Sequence, residues 1–388
     1  MKLFLRAYAK INPYLNITGR REDGYHELDI IFRPVTLYDE LEMELTDGAG
    51  VKLVCDRADL TEDNIICKAY ERLKEETGVL PGFAVTLHKN IPSGAGMGGG
   101  SSDAAAFLWG ANVLAGLGLS QAELMKIGAA VGADVPACLL QRVSAGEGIG
   151  ERLCVIEGAA NVSYLIIKPQ ESFSTPAMYG EYDRLAAAGK IRTGNTAGVG
   201  RGSAAVMRAI AAGDAAGEAK RFYNVFEKTV PDKRLISSLK KLLISAGARG
   251  ALMTGSGSCV VGAFLDERSR NAAYRKLLAL QKKEDRALQG CTFYRCKSLD
   301  ESRELNYVYM VRCGDGSLYT GWTKDPEKRF AAHSSGRGAK YTRSRGAREL
   351  VYLEAFDSKR AALAREYAVK QLTRDGKIRL AGLQNPDS

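Results

Sequence analysis

The stretch PSGAGMGGGSSDAAA, residues 92–106, decides which fold this sequence predicts. Its five glycines lie directly after a predicted strand at 83–87 and directly before a predicted helix at 103–117. Glycine lets the backbone approach a ligand closely, and the free N–H groups at the start of a helix favour negative charge. The stretch therefore predicts a phosphate-binding loop that leads into a helix.

Other glycine-rich loops fit this segment less well. Gly94, Gly96 and Gly99 also match the dinucleotide fingerprint, but no strand ending in an acidic residue follows about 20 residues later. A Walker loop would need a lysine before the serine, and a protein-kinase loop would be followed by a strand. A merely flexible turn remains an alternative, although it does not explain the Ser-Ser-Asp start of the helix.

The segments around the loop alternate between strand and helix patterns, which predicts an α+β fold. Predicted strands lie at 3–11, 39–45, 51–55, 248–265 and 291–296, and predicted helical stretches lie at 65–77, 204–226, 234–246 and 271–289. The small, Gly-rich segment 186–203 is predicted to be a flexible surface connection. The polar run KSLDESREL, residues 297–305, shows no apolar face long enough to bury and is predicted to be a domain boundary.

Composition narrows the class of protein. Hydrophobic residues at 45% and charged residues at 26% are typical of soluble globular chains. No apolar run approaches the roughly 20 residues that span a bilayer, and no signal-peptide pattern opens the chain, so a cytoplasmic protein without a membrane partner is predicted. The eight cysteines form no C-x-x-C pair and no cysteine–histidine cluster, which argues against structural zinc.

The net charge of +10 is concentrated at one end of the chain. Residues 306–388 hold 16 Lys plus Arg and 9 Asp plus Glu, and therefore carry +7 of it. This segment is predicted to bind a polyanion.

Three ordered segments, at 9–28, 92–106 and 254–258, resemble the GHMP kinases. The loop at 92–106 resembles the family's phosphate loop, and TGSGS at 254–258 resembles its C-terminal glycine motif, although a tight turn between strands is an alternative for 254–258. The segments AKINPYLNIT at 9–18 and RREDGYHEL at 20–28 resemble one branch, the diphosphocytidyl-methylerythritol kinases.

The resemblance implies a two-lobed fold, with a ribosomal S5 domain 2-like N-lobe at 1–155 and a ferredoxin-like C-lobe at 156–300. It also implies ATP- and Mg²⁺-dependent phosphorylation of the 2-hydroxyl of 4-diphosphocytidyl-2-C-methyl-D-erythritol, in the non-mevalonate isoprenoid pathway. A GHMP kinase for homoserine, mevalonate or a sugar is an alternative, against which segment 20–28 argues. A DNA-processing protein with a nucleotide-sensing kinase-like part is another, against which the intact Lys10 and Asp134 argue.

The same resemblance implies the roles of individual residues. Asp134 matches the catalytic aspartate and Lys10 its electrostatic partner, while Asn12, on the same strand face as Lys10, is a predicted substrate contact. Tyr25 and His26 match the cytidine-recognising pair, and Tyr179 is the predicted second stacking ring. The predicted ATP-binding residues are Pro92, Ser93, Gly94, Ala95, Gly96, Met97, Gly98, Gly99, Gly100, Ser101 and Ser102.

The C-terminal segment resembles a second family, the small GIY-YIG nucleases, over predicted domain 305–385. Tyr307-Val-Tyr309 is followed after nine residues by Tyr319-Thr-Gly321, with Tyr307 and Thr320 in place of the family's Gly and Ile. The family pattern implies Tyr319 as base and Glu366 as metal ligand, and its remaining site residues are Tyr309, Arg329 and His333. A separable α/β module that cleaves DNA or RNA is predicted, with an inactive nucleic-acid-binding domain as the alternative.

Overall fold

The computed structural model describes residues 1–60, 64–191, 202–299 and 302–383. The strands are β1 (Lys2–Arg20), β2 (His26–Thr46), β3 (Val51–Cys55), β4 (Gly82–His88), β5 (Ser144–Glu147), β6 (Arg152–Val155), β7 (Ser163–Lys168), β8 (Tyr223–Asn224), β9 (Gly250–Met253), β10 (Val260–Phe264), β11 (Thr292–Lys297), β12 (Asn306–Cys313), β13 (Leu318–Thr323) and β14 (Ala347–Phe356).

The helices connect these strands and cover their faces. They are α1 (Ile65–Thr77), α2 (Gly99–Leu114), α3 (Gln121–Val131), α4 (Val135–Leu140), α5 (Thr175–Ala187), α6 (Ser203–Ala211), α7 (Ala215–Lys220), α8 (Lys233–Ser245), α9 (Glu267–Lys282), α10 (Pro326–Ser334), α11 (Lys340–Arg345), α12 (Lys359–Gln371) and α13 (Arg374–Leu380). Within the described residues, none of these helices has both the length and the apolar character that a membrane crossing requires.

Two sheets organise the molecule. The larger has ten strands, with the order β13-β12-β14-β1-β2-β4-β3 and with β5, β6 and β8 paired off this path. The long antiparallel pair of β1 and β2 forms its centre. The smaller sheet has the order β11-β7-β10-β9 and packs against α8 and α9. The larger sheet thus holds the strands up to β6 together with β8 and the C-terminal β12–β14, and the smaller sheet holds β7 and β9–β11.

The helix that follows the glycine loop is a core element. α2 packs between the larger sheet and α1, α3 and α4, and its Phe107 and Leu108 are fully buried. Phe107 meets Phe83 of β4 edge to face, with ring centroids 5.5 Å apart. Because burying one such side chain stabilises the fold by about 1.5–3 kcal/mol, this packing fixes the position of the loop that begins the helix.

Three predicted helical stretches differ from the structure by more than one residue. The one predicted at 271–289 is α9, which begins at Glu267 and ends at Lys282. The helix predicted at 103–117 begins four residues earlier, at Gly99, and ends at Leu114. The helical stretch predicted at 204–226 is wrong as a single element, because α6 ends at Ala211 and Tyr223–Asn224 pairs in parallel with β1. Tertiary pairing outweighs local helix propensity there. Most of the connection predicted at 186–203 lies outside the described residues.

The polar run at 297–305 is not the unburied linker that the sequence predicts. Leu299 is buried, and the Arg303 side chain is 3% exposed. The larger sheet also runs through the predicted boundary, because β14 of the C-terminal segment pairs with β1. The expected separation of the C-terminal module is therefore not seen at the level of the sheet.

Candidate active sites

The glycine loop has the backbone shape that a phosphate cradle needs. Gly94, Gly96 and Gly98 have φ angles of 57°, 71° and 70°, a left-handed conformation that costs other residues roughly 1–2 kcal/mol each. A Cβ on Gly96 would lie 2.0 Å from the carbonyl oxygen of Thr254. The Lys10 N–H donates to the carbonyl of Met97 at 3.0 Å, so the loop is pinned between two elements.

The C-terminal glycine motif at 254–258 packs directly on this loop. Backbone N–H groups of Ser258 and Cys259 donate to the carbonyls of Gly94 and Ala95, both at 3.3 Å. The amide of Asn224 donates to the carbonyl of Gly255 at 2.8 Å. The motif connects β9 to β10, as the turn alternative has it, and also forms one wall of the loop.

A cavity of about 910 Å³ gathers most of the predicted kinase residues. Its walls include Lys10, Tyr25, His26, Asp134, Tyr179 and every predicted loop residue from Pro92 to Ser101. Gly255, Ser256 and Gly257 of the C-terminal motif line it as well. Residues far apart in sequence therefore share one cavity, large enough for a nucleotide and a second ligand.

Lys10 and Asp134 form the charged centre of the cavity. Lys10 Nζ lies 3.0 Å from Asp134 Oδ2, and the two side chains are 7% and 31% exposed. The Asn12 side-chain oxygen accepts a hydrogen bond from Lys10 Nζ at 2.8 Å. The ammonium is thus held in place, while the carboxylate keeps access to the cavity.

Asn12 and Ser102 differ from their predicted roles, since neither is among the residues that line the cavity. Asn12 is fully buried, and its amide nitrogen donates to the carbonyl of Ile31. The Ser102 hydroxyl donates to the carbonyl of Tyr8, and its backbone N–H donates to the carbonyl of Gly98. Both side chains face the core, where Asn12 orients Lys10 and Ser102 ties α2 to β1.

The predicted base-recognition residues meet at the far end of the cavity. The His26 ring stacks on Tyr179 with centroids 4.7 Å apart, and Tyr25 is 61% exposed beside them. His26 Nε2 lies 2.7 Å from Asp183 Oδ1, and Arg20 pairs with the same carboxylate at 3.5 Å. Asp183 was not among the predicted site residues, although its position four after Tyr179 on one helix places both on one face.

A buried charge cluster near the loop also escapes the sequence analysis. Lys89 lines the cavity and pairs with Asp39 and Asp103, all three side chains being almost fully buried. Burial alone lowers the pKa of Lys89, but the charges of Asp103 and Asp39 outweigh it and raise that pKa. In the sequence the cluster shows only a weak signal, namely two carboxylates in apolar surroundings with no evident partner.

The C-terminal domain has its own polar cluster, centred on Tyr309. The Tyr309 hydroxyl lies 2.8 Å from His333 Nε2 and accepts a hydrogen bond from Arg329 Nε at 3.1 Å. The Tyr319 ring lies beside His333, with centroids 5.1 Å apart. A Cβ on Gly321 would lie 2.6 Å from the Tyr309 hydroxyl, so the tyrosine fits only against glycine.

The hydrogen bonds of this cluster show which group is the donor and which is the acceptor in each contact. The Thr342 hydroxyl donates to the carbonyl of Ala339 and is left to accept from His333 Nδ1 at 2.6 Å. The other ring nitrogen then accepts from the Tyr309 hydroxyl. Burial and the charge of Arg329 lower the pKa of His333, which favours this neutral form. Burial raises the pKa of Tyr309 to about 12.

This geometry offers a second tyrosine for the role that the resemblance gives to Tyr319, and that assignment stays a prediction. The sequence resemblance makes Tyr319 the base, whereas the tyrosine in hydrogen-bond contact with the histidine is Tyr309. Glu366 lies on α12, 14% exposed, and pairs with Lys370 at 2.8 Å. The segment 337–348, which contributes Thr342 to the cluster, also carries the exposed basic side chains Arg337, Lys340, Arg343, Arg345 and Arg348.

Comparison with known protein families separates the two parts of the chain. The model of the GHMP kinases N terminal domain matches residues 64–142, and that of the GHMP kinases C terminal matches 207–283. The model of the GIY-YIG catalytic domain matches residues 305–379.

Curated relatives agree with the kinase matches. A 4-diphosphocytidyl-2-C-methyl-D-erythritol kinase from Geobacter sp. (strain M21) is 38% identical over 275 residues, which are 70% of this chain and 93% of that relative. One from Alkaliphilus metalliredigens is 36% identical over 281 residues, 72% of this chain and 93% of the relative. Only 7% of either relative lies outside the matched part, which is too short to hold a counterpart of the GIY-YIG segment.

Solved structures give the same result. A crystal structure of 4-(cytidine 5'-diphospho)-2C-methyl-D-erythritol kinase matches with a TM-score of 0.62 and 27% identity, over 77% of this chain and 100% of that chain. The L. major mevalonate kinase, at 15% identity and a TM-score of 0.60 over 76% of this chain and 96% of its own, supports the fold alone. The predicted α+β, two-lobed GHMP kinase fold is confirmed. The chain therefore belongs to the family of 4-diphosphocytidyl-2-C-methyl-D-erythritol kinases and carries a GIY-YIG domain after the kinase.

Proposed function

We propose that this chain transfers the γ-phosphoryl group of ATP to the 2-hydroxyl of 4-diphosphocytidyl-2-C-methyl-D-erythritol. The observation that carries the proposal is the Lys10–Asp134 pair in the same cavity as the glycine loop. Family membership supports the choice of substrate.

Each part of the cavity has a chemical task in this transfer. The backbone N–H groups at the start of α2 bind phosphate oxygens. Asp134 accepts the proton of the attacking hydroxyl, and Lys10 offsets charge on the transferred group. Because phosphoryl transfer depends mainly on positioning and charge neutralisation, the fixed place of Lys10 between Asn12 and Asp134 contributes directly.

Mg²⁺ fits this site as a companion of the nucleotide. The ion keeps several waters and phosphate oxygens and needs few protein ligands. The Ser101 hydroxyl and the Asp134 carboxylate line the cavity and offer oxygen atoms, whereas Lys89 already occupies Asp39 and Asp103. Bound there, the ion would neutralise phosphate charge.

A product assay tests the proposed function. We expect the full chain with ATP and Mg²⁺ to form the 2-phosphorylated product from the diphosphocytidyl substrate. We expect homoserine and mevalonate to react at least roughly 100-fold more slowly, because neither fills the base-recognition end of the cavity. Faster phosphorylation of homoserine or mevalonate would instead support the alternative GHMP activities.

Cytosine recognition follows from the contact between His26 and Asp183. A carboxylate only accepts hydrogen bonds, so Asp183 holds the proton of a neutral His26 on Nε2 and leaves Nδ1 as an acceptor. Cytosine presents an amino donor at the position where uracil presents a carbonyl. We propose that His26 reads this difference while Tyr179 and Tyr25 contact the faces of the base.

Replacing His26 with alanine should therefore lower the preference for a cytidine over a uridine substrate by roughly tenfold or more. Asp183→Asn should lower it as well, because the amide no longer fixes the histidine tautomer. The measurement is the ratio of kcat/KM for the two substrates. Glu181→Gln, which alters an exposed pair with Arg184 on the same helix, is the matched control. Unchanged discrimination in both site variants would place base recognition elsewhere.

For the C-terminal domain we propose nucleic-acid binding and metal-dependent cleavage of a phosphodiester. The polar cluster of Tyr309, His333 and Arg329 supports cleavage. The exposed basic residues of segment 337–348 and the partly exposed Tyr341 ring, 6.0 Å from Tyr319, support binding.

A further inference from the structure

The C-terminal domain continues the sheet of the kinase. β14 pairs in parallel with the first residues of β1, with Leu3 opposite Ala355 and Phe4 opposite Phe356. The rings of Phe4 and Phe356 stack with centroids 5.2 Å apart. Ala355 is fully buried in the same core cluster as Leu3. The two domains thus share a hydrophobic core as well as backbone hydrogen bonds.

One residue of β1 is held from both sides at this junction. The Arg6 N–H donates to the Asp357 carboxylate at 2.9 Å, and the Arg6 carbonyl accepts from the Arg303 guanidinium at 3.1 Å. Arg303 and Asp357 face each other at 3.7 Å with side chains only 3% and 1% exposed. Both partners come from outside the two segments that match the GHMP kinase models.

Arg303 also reaches two helices of the kinase. Its guanidinium donates to the Ala105 carbonyl of α2 at 3.3 Å. When the Gln141 amide is oriented to fit the hydrogen-bond network, its side-chain oxygen accepts two hydrogen bonds from the Arg303 guanidinium, at 3.0 and 3.2 Å. α2 begins at the phosphate loop, and Gln141 caps α4, whose other end is Asp134. A single guanidinium therefore contacts the three elements that carry Lys10, the loop and Asp134.

Because this ion pair is buried, losing either of its charges should destabilise the fold. Burial lowers the pKa of Arg303 and raises the pKa of Asp357, so each charge depends on the other for compensation. Removing one member of such a pair leaves an uncompensated buried charge. Separating the domains would expose both charges and the shared apolar core together.

We propose that the kinase and the C-terminal domain form one cooperative folding unit joined at Arg303 and Asp357, so that a ligand at the phosphate loop also stabilises the C-terminal domain. The first half of this proposal, a single cooperative folding unit, stands on the junction alone. The second half, stabilisation of the C-terminal domain by a ligand at the phosphate loop, rests on the proposed use of ATP by the kinase.

The chain's two tryptophans allow a direct test. Trp109 lies on α2 in the kinase and Trp322 on β13 in the C-terminal domain. In full-length Trp322→Phe and Trp109→Phe variants, fluorescence reports unfolding around a single tryptophan, with Trp109 lying 5.9 Å from the Arg303 guanidinium at the junction. We expect the two thermal midpoints to coincide within about 1 °C, as two-state behaviour requires. Two transitions separated by more than about 5 °C would overturn the proposal.

Substitutions at the junction test the role of the ion pair. Asp357→Asn in each single-tryptophan background should lower both midpoints by about 5 °C or more. Glu304→Gln is the matched control, because it neighbours Arg303 in the chain but forms an exposed pair with Lys324; it should change neither. Midpoints of Asp357→Asn equal to those of the control would contradict a linking role. If Asp357→Asn does not fold, Arg303→Lys, which keeps the charge, replaces it.

A non-hydrolysable ATP analogue with Mg²⁺ tests the second half. Binding to the native state raises the midpoint through mass action, and in a cooperative unit both tryptophans should report the same rise. A rise at Trp109 without one at Trp322 would overturn the coupling. No rise at either tryptophan would contradict nucleotide binding itself and the second half with it, whereas coincident midpoints would still support the first half.

Discussion

Replacing Asp134 with asparagine should lower the turnover number of the kinase by a factor on the order of 10² or more. The change keeps the shape of the side chain but removes the proton acceptor beside Lys10, which lies 3.0 Å away. Binding of both substrates depends mainly on the glycine loop and the base-recognition end, so KM should change little. Steady-state kinetics of the full chain with ATP and the diphosphocytidyl substrate supply both values.

The control for Asp134→Asn is Glu157→Gln, which removes one exposed carboxylate paired with Arg142 outside the cavity. Its kinetics should match those of the unmodified chain. Turnover of Asp134→Asn within a few-fold of the unmodified chain would show that Asp134 does not accept the proton. A large rise in KM without a fall in turnover would assign Asp134 to substrate binding instead.

The phosphate loop is predictable from sequence because its signal is local. Gly94, Gly96 and Gly98 occupy left-handed backbone conformations, and glycine is the residue that adopts them without strain. The position of the loop beside Lys10 and the C-terminal glycine motif follows from the family resemblance, not from the pattern. The structure adds the hydrogen bonds that join them, through Met97 and the loop carbonyls.

Side-chain direction within the site is not predictable in this way. Asn12 lies two residues from Lys10 on the same strand, yet it faces the core and holds the lysine. Lys89 finds its partners Asp39 and Asp103 across 50 and 14 residues of sequence, a separation that no local pattern records. Charged partners of this kind emerge only when the chain has folded.

The junction of the two domains shows the same limit more strongly. The run at 297–305 contains charged residues and few apolar ones, which is typical of a solvated linker. In the structure Arg303 is buried because Asp357, 54 positions later, and three backbone or amide oxygens compensate it. A buried cation is predictable only if its partners are known.

In the C-terminal domain, replacing Tyr309 with phenylalanine should lower divalent-metal-dependent nicking of DNA by a factor on the order of 10² or more. The substitution removes the single oxygen that joins His333 Nε2 to Arg329. Glu366→Ala should abolish nicking, since it removes the carboxylate assigned to the metal. One carboxylate fits an ion that keeps most of its waters, and the described residues hold no cluster of three or more potential metal ligands.

The comparison with Tyr319→Phe decides which tyrosine acts as the base. If Tyr309 does, Tyr319→Phe should retain most of the activity, because Tyr319 meets His333 through its ring while its hydroxyl contacts Tyr309 and Arg329. The opposite order would support the assignment that the family pattern implies. Glu349→Ala, which alters an exposed pair with Arg312 in the same domain, should nick DNA like the unmodified chain.

Binding must be measured alongside nicking, because the basic surface and the catalytic cluster are separate features. Counterion release makes the affinity for nucleic acid fall steeply with salt whether or not the site cuts, so Tyr309→Phe and Glu366→Ala should bind DNA with nearly unchanged affinity and salt dependence. Absence of binding even at low salt would exclude a nucleic-acid role for this domain. Binding by the unmodified chain without cleavage of single-stranded, duplex or branched DNA would identify the domain as a binding module whose Tyr309–His333 contact is structural. In each of these outcomes the kinase assay is a separate measurement, because Lys10 and Asp134 lie outside residues 305–379, which match the GIY-YIG catalytic domain.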